Sequence, residues 1–325
     1  MTAAVYEYEK YVSTLDTVRY TLEKYGVAIL PQVLNDTECA EMHVGMWNAL
    51  ETITGPWPVP IDRGNPESWR GISGLFPSHS MLLQHHGIGH AQFIWDLRQN
   101  PKCMDAFARL WKCAPDELLV SFDGAAFHMP PENTKIGWHR QTWFHTDQSY
   151  TRSEFECVQG WVTALDVNEN DATLAVYEGS HVYHAEFAEK FGVTKKDNWY
   201  KLETEEQKEF YRSRCEERYI KCPRGSIVLW DSRTIHCGVE PRKTRNTPNT
   251  RCVAYLCYMP RSMASDKELA KKVTAYENGR MTSHWPCKVK LFPKQPQTYG
   301  RPVSETRSLP APILTDMGRR LAGYK

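Results

Sequence analysis

The sequence predicts a mainly β fold, a sandwich or barrel of short strands with helices in front of it. Three observations carry this. From about residue 118 onward, short strand-like runs alternate with turn-rich stretches, the texture of an all-β core. Ahead of them, apolar residues recur at helical spacing. The composition, 41% hydrophobic and 24% charged over 325 residues, is that of a globular chain long enough to bury a full-sized core.

The elements follow in order. Residues 4–25 place Val5, Tyr8, Val12, Leu15, Val18 and Leu22 at helical spacing, with Gly26 as the stop. Residues 27–30 (Val-Ala-Ile-Leu) read as a short buried strand ended by Pro31. Asn35 and Glu38 have the spacing of a capping box, so a helix is expected over 36–51. Residues 54–92, rich in Gly, Pro, Trp and His, are expected to be irregular. Helical spacing returns over 92–112, with a break at Pro101. Strand-like runs then occur at 118–129, 141–147, 158–166, 173–178, 218–221, 226–231 and 251–259. The charged segment 184–217 interrupts them as a helical insert expected outside the sheets. Beyond 262 a helix capped by Ser265 gives way to Pro-rich, extended, basic chain. We expect one domain over 1–325: a mostly helical part over 1–117, a β core over 118–261, and a C-terminal wrap over 262–325.

No apolar run reaches the 18 or so residues of a membrane span, and the first ten residues lack a basic start and an apolar stretch. A cytoplasmic protein is therefore expected. None of the ten cysteines forms a Cys-x-x-Cys pair, and Cys222, Cys252 and Cys257 sit in apolar runs, which suits buried free thiols. The net charge of +1 gives the whole molecule no strong field for nucleic acid. Residues 262–325 nevertheless hold 12 Lys/Arg against 5 Asp/Glu, leaving +7 there and −6 elsewhere. Such a region is either a solvated surface or an attractor for an anionic or macromolecular substrate.

Chemistry concentrates in two short segments, His145-Thr146-Asp147 and the run 226–236 that ends in His236. In a strand, residues i and i+2 point the same way, so His145 and Asp147 share a face. The triplet alone is weak, since chance supplies about 1.4 His-x-acid triplets in a chain of this composition. The second segment strengthens it: an apolar strand, 227–230, is followed by a polar turn and then His236-Cys237-Gly238. Two imidazoles and a carboxylate are the donor set of a non-haem Fe(II) site with open positions. Arg251 heads the apolar strand 252–258, where a guanidinium is costly to bury without a partner and where a carboxylate would fit its fork. Taken singly, His236 also reads as a core histidine and Arg251 as half of a structural salt bridge.

Taken in order, these features resemble the phytanoyl-CoA dioxygenase-like branch of the Fe(II)/2-oxoglutarate oxygenases. The matching residues are His145-Thr146-Asp147-Gln148, the run 171–181 ending in Gly179-Ser180-His181, the run 225–236, and Arg251. The N-terminal run 25–31 also looks like that family's opening strand, and the resemblance covers roughly residues 15–260. It implies a double-stranded β-helix (jelly-roll, cupin-like) core, Fe(II) held by His145, Asp147 and His236, and 2-oxoglutarate bound by Arg251. Departures are Asp171-Ala172 for the usual Asn-Gly, Glu178 for a usual Pro, and Gly238 where a hydroxyl residue often stands. The loop from His236 to Arg251 is long and holds Arg242 and Arg245, two further candidates for the carboxylate. Halogenases of the superfamily need a small residue in place of Asp147, so halogenation is disfavoured.

The activity implied is a 2-oxoglutarate-dependent dioxygenase, consuming dioxygen and hydroxylating a small-molecule or lipid-like substrate with release of succinate and CO2. The same chemistry on a macromolecular or phosphorylated substrate, or a non-catalytic ligand-binding barrel, stand as alternatives. Of Trp138, Trp143, Trp161 and Trp230, all close in sequence to the ligand segments, Trp161 is the expected pocket residue. His128 and His139 are expected in core or surface roles, and His85, His86 and His90 in a substrate-entrance loop. Trp285, Leu291 and Phe292 are expected to anchor the C-terminal wrap on the β core, with Tyr299 available to a large substrate.

Overall fold

Alternating side chains give a short strand two faces to bury. The computed structural model, which describes residues 4–325, satisfies both faces by stacking two six-stranded sheets between helical layers. In spatial order the first sheet consists of Tyr6–Glu7, Glu217–Ile220, Thr173–Tyr177, His236–Val239, His145–Thr146 and Tyr200–Lys201. The second consists of Val27–Leu30, Ile227–Asp231, Val158–Thr163, Arg251–Leu256, Ala125–His128 and Leu82–Leu83. Tyr6–Glu7 runs parallel to its neighbour, and the other pairings within these two sheets are antiparallel. This is the double-stranded β-helix core, open at its edges and not closed into a barrel.

Three buried layers follow from the alternation. Between the sheets, Ile29, Trp161, Val228 and Val253 of the second meet Leu174 and Val176 of the first. The other face of the second sheet, through Ala28, Val162 and Leu229, joins a core with the helices Asp36–Thr54, Gln92–Gln99 and Pro101–Trp111. The outer face of the first sheet, through Ala175, Tyr177 and Cys237, takes Phe187, Phe210 and Tyr211 of the insert.

Local signals placed several elements correctly. Asn35 Oδ1 accepts from the Glu38 amide at 2.9 Å and Glu38 returns the bond to Asn35 at 2.7 Å, opening a helix that continues to Thr54. The helices 92–99 and 101–111 meet at Pro101, and Ser265 caps Asp266–Glu277. All ten cysteines are free thiols; Cys157 and Cys257 approach to 3.6 Å between sulfurs without bonding. Among the described residues no helix is long and apolar enough to cross a membrane.

The expected helix over 4–25 is confined to Val18–Tyr25. The first sheet ends in a row of backbone groups on Glu217–Ile220, and residues 5–7 satisfy them: Tyr219 N donates to Val5 O at 2.9 Å. Pairing therefore overrides the periodicity. Val5, Val12 and Leu15, counted as a helix face, lie exposed, whereas Tyr11 is buried. The run 118–129 is two strands, Leu118–Val120 and Ala125–His128, and 141–147 shrinks to His145–Thr146. The stretch 54–92 contains a 3-10 helix at Pro66–Leu75 and a short strand at Leu82–Leu83. The insert is not wholly outside the sheets, because Tyr200–Lys201 pairs beside His145–Thr146.

The C-terminal segment is bound at many points. Trp285 is buried with Leu119, Cys257 and Met259, and Leu291 and Phe292 pack on the main core. Thr282 Oγ1 accepts from Phe122 N at 3.0 Å. The Lys272 amine donates to the Val120 carbonyl, and burial draws its pKa down to about 7. Removing residues 262–325 is therefore expected to expose core surface and cut soluble yield and activity together. Losing Trp285 alone should cost about 3–5 kcal/mol by denaturant titration of Trp285→Ala. A soluble, cooperatively folding 1–261 fragment of normal activity would show the segment to be an appendage.

Candidate active site

Antiparallel pairing creates the site. His236 and His145, far apart in the chain, are register partners on adjacent strands, and their ring centroids lie 4.3 Å apart. Asp147 follows where the chain leaves the strand, its amide donating to Ser232 O at 3.0 Å while Thr146 Oγ1 donates to the same carbonyl at 2.9 Å. The turn before His236 is pinned to the second sheet's edge, where Thr234 Oγ1 donates to Gly26 O at 3.0 Å. Gly26 has φ +75°, and a Cβ there would stand 2.5 Å from Thr234 Oγ1. The helix-stop glycine is thus also a contact point for the loop that delivers His236.

The three side chains converge. Asp147 Oδ2 lies 3.6 Å from His145 Nε2 and 3.3 Å from His236 Nε2, and the three donor atoms are within 4.8 Å of one another. Metal bonds of about 2.1 Å at right angles would separate such donors by about 3 Å. The rings are oriented from behind: His236 Nδ1 bonds Thr234 O at 2.9 Å and His145 Nδ1 bonds Trp143 O at 3.3 Å. Each backbone carbonyl requires the proton on Nδ1 and leaves the Nε2 lone pair for the carboxylate side. Gln159 Nε2 donates to Asp147 Oδ2 at 2.8 Å. None of these supports is announced by spacing along the chain, apart from Gln159 sharing a strand face with Trp161.

Electrostatics favour the states a divalent cation needs. Burial by itself would raise the Asp147 carboxyl, but the surrounding imidazoles of His145, His284 and His236 outweigh it and hold it well below the ordinary carboxylate range. Burial, reinforced by His236, pushes the His145 imidazole below its ordinary range. A carboxylate held ionised beside an imidazole whose proton is disfavoured suits coordination. One contact must yield: Trp230 Nε1 donates to His236 Nε2 at 3.2 Å, the lone pair a metal would take.

The triad opens on a cavity of about 340 Å3 lined by residues of both sheets, the 78–84 segment and the C-terminal segment. Trp143 stacks on His145 at 4.6 Å and on His79 at 3.6 Å, and Trp199, Trp230 and Tyr255 extend the aromatic wall. Gly238 lines it too; a Cβ there would meet nothing closer than 3.7 Å, so no close approach demands glycine.

Arg251 is buried at the head of its strand, shares the inward face with Tyr255, and lies over the Trp161 ring at 5.1 Å. Its Nη1 donates to Ala172 O at 3.0 Å, and its buried Nε has no partner. Arg242 and Arg245 are committed elsewhere, Arg242 to the Tyr219 hydroxyl and Arg245 to Glu132 and Asp171. Neither Arg251 nor Trp161 contributes to the cavity wall; Tyr255, the register partner of Trp161, does. His128, His139, His85, His86 and His90 lie outside the triad. His85, His86 and His90 bond backbone carbonyls of 293, 75 and 280 and do not line the cavity, whereas residues of the 78–84 segment do.

The sequence profile of the phytanoyl-CoA dioxygenase (PhyH) family matches residues 22–240, a span that contains the whole triad. The chain belongs to that family. The His-Asp-His cluster of this PhyH-family protein lies within the matched span and has the donor set of a non-haem iron site. A relative from Aspergillus versicolor, the Ava biosynthesis cluster protein O, is 30% identical over 212 residues. That match covers 62% of this chain and 65% of the relative, just under two thirds of its length. Among solved structures, the hypothetical protein JW0805 from Escherichia coli aligns over 98% of this chain and 86% of its own, with TM-score 0.57 and 14% identity. The GlcNAc-inducible gene 2 protein from Candida albicans aligns over 81% and 67%, with TM-score 0.52 and 12% identity. At such identities the likeness is one of fold.

Gln159 should matter out of proportion to its distance from any reaction. Gln159→Leu deletes the one side-chain amide that orients Asp147, and Fe(II) affinity is expected to fall about 10–100-fold. Anaerobic Fe(II) titration checks this, and unchanged affinity would show that the histidines alone orient the site.

Proposed function

We propose that this PhyH-family protein is an Fe(II)- and 2-oxoglutarate-dependent dioxygenase that hydroxylates a small-molecule or lipid-like substrate, releasing succinate and CO2. The observation that carries the reading is the convergence of His145 Nε2, His236 Nε2 and Asp147 Oδ2 on a cavity with a largely aromatic wall. These three residues would hold the metal. Arg251, with an unpartnered buried nitrogen and no carboxylate of its own among the described residues, would bind the far carboxylate of 2-oxoglutarate, with Trp161 beneath the guanidinium. Bound there, iron and 2-oxoglutarate supply the oxidising power drawn from dioxygen.

The chain's own contribution is position and exclusion. Three donors on one side leave the cavity side free for cosubstrate and dioxygen. The carbonyls of Trp143 and Thr234 fix the imidazole tautomers, and Gln159 fixes the carboxylate rotamer. Asp147 occupies the position a halide would need, which favours hydroxylation over halogenation. The aromatic wall sheds water from the reacting centre. A volume of about 340 Å3 suits a small substrate portion. Lys288 and Lys290 also reach the wall, which keeps an anionic substrate in view. Steep salt dependence of substrate binding would select that variant of the reading.

The test is anaerobic loading with Fe(II) and 2-oxoglutarate followed by an oxygen pulse and a screen for substrate-stimulated succinate. One Fe(II) per chain and stimulated succinate are expected. A chain that binds neither Fe(II) nor 2-oxoglutarate would sink the proposal in favour of a ligand-binding fold without catalysis.

A further inference from the structure

Part of the cavity wall is built from chain beyond residue 240, where the family match stops. Ser283, His284, Trp285 and Phe292 line the cavity there. Most of the remaining surface is aromatic or aliphatic, including Met81, Leu174 and Trp199. Polar groups interrupt it, Asp123 and His284 among them. Asp123 is 6% exposed, and its Oδ1 accepts from Gly124 N at 2.7 Å. Nearby Arg98 bonds the backbone oxygen of Asp123 and not its carboxylate, so the side chain is left without a cation. His284 Nε2 is shielded from solvent and has no hydrogen-bond partner. Neither residue joins the three-donor cluster. Both line the cavity into which His145 and Asp147 open.

A buried polar atom without a partner persists where a ligand completes it. A few placed polar groups in an apolar cavity are what fix a small ligand's orientation. We propose that Asp123 and His284 together seat a hydrogen-bond-donating group of the substrate, a hydroxyl or an amine, while its apolar body lies along the tryptophans. The carbon presented to the triad is then set by its distance from that polar group. A hydroxyl donates to the Asp123 carboxylate and accepts from the His284 ring when its Nε2 carries the proton. An amine donates to Asp123 and, as a cation, also gains from the indole faces. This inference deepens the proposed function and rests on it for the identity of the reacting centre.

Ligand-observed NMR titration of the full-length chain under nitrogen, with and without Fe(II) and 2-oxoglutarate, separates the possibilities. The probes are ethylbenzene, 2-phenylethanol and 2-phenylethylamine, which share an aromatic body. At least one polar probe should bind tenfold or more tighter than ethylbenzene, and His284→Phe should erase most of that difference. If the group is an amine, Asp123→Asn removes the preference by removing the charge. If it is a hydroxyl, Asp123→Asn spares it and Asp123→Leu removes it. Thermal melts establish that each variant folds, and His284→Phe carries the test should the Asp123 variants fail. Equal binding of all three probes to the wild type, or a preference that survives His284→Phe, overturns the inference and leaves an ordered water as the partner of His284. A chain that binds Fe(II) without probe preference fails this inference alone. One that shows the preference without binding Fe(II) fails the metal assignment alone.

Discussion

Asp147→Ala and His236→Ala proteins are expected to fold, to lose stoichiometric Fe(II) binding, and to lose turnover by at least about a thousandfold, roughly 4 kcal/mol of barrier. The size follows from geometry. Asp147 Oδ2 is the shared neighbour of both imidazole nitrogens, and removing it leaves two neutral rings and no charge to offset a dication. The fold should survive because neither side chain belongs to a hydrophobic core cluster, whereas the strand pairing of His236 with His145 is made by backbone. Anaerobic Fe(II) titration, succinate release and circular dichroism on the same samples read the three outcomes. A variant that keeps one tight Fe(II) per chain with normal turnover would falsify the site.

Arg251→Lys is expected to raise the 2-oxoglutarate requirement at least tenfold, about 1.4 kcal/mol, with Fe(II) affinity intact. Lysine keeps the charge and loses the planar fork, which here spends one arm on Ala172 O and leaves Nε free. Burial already lowers the Arg251 pKa, and a less delocalised ammonium would tolerate that environment worse. The measurement is the 2-oxoglutarate dependence of succinate formation at fixed substrate. An unchanged requirement would move the anchor to Lys290, which lines the cavity, and away from Arg242, Arg245 and Lys288, which are already paired.

Much of the site was legible because its components obey local rules. The spacing of His145 and Asp147 is a strand rule, and the apolar run before His236 announces the strand that carries it to the edge. The order of the parts pointed to Arg251 for a carboxylate and left Arg242 and Arg245 open, and Arg251 itself does not line the cavity. The residues that were missed act through tertiary neighbours. Gln159 meets Asp147, and His79 stacks on Trp143, only because particular strands and loops are adjacent, and no spacing along the chain encodes that adjacency. His284 is an extreme case, arriving from a segment whose proline content announces extended chain but not where it runs. The N-terminal helix was overcalled for a related reason: residues 5–7 carry a helical apolar pattern, yet an unfilled sheet edge elsewhere in the chain claimed them.

The far wall of the cavity also orders assembly in time. A chain made from its N-terminus holds His145, Asp147 and His236 before residues 283–292 are added. Contacts such as Phe122 with Thr282 and Val120 with Lys272 span some 150 residues and close late, after the pairings of shorter reach. During that interval the triad side of the cavity lacks part of its wall. Trp285 and Phe292 join that wall only when the segment docks. The pocket is thus finished by chain made after the residues that would hold the metal.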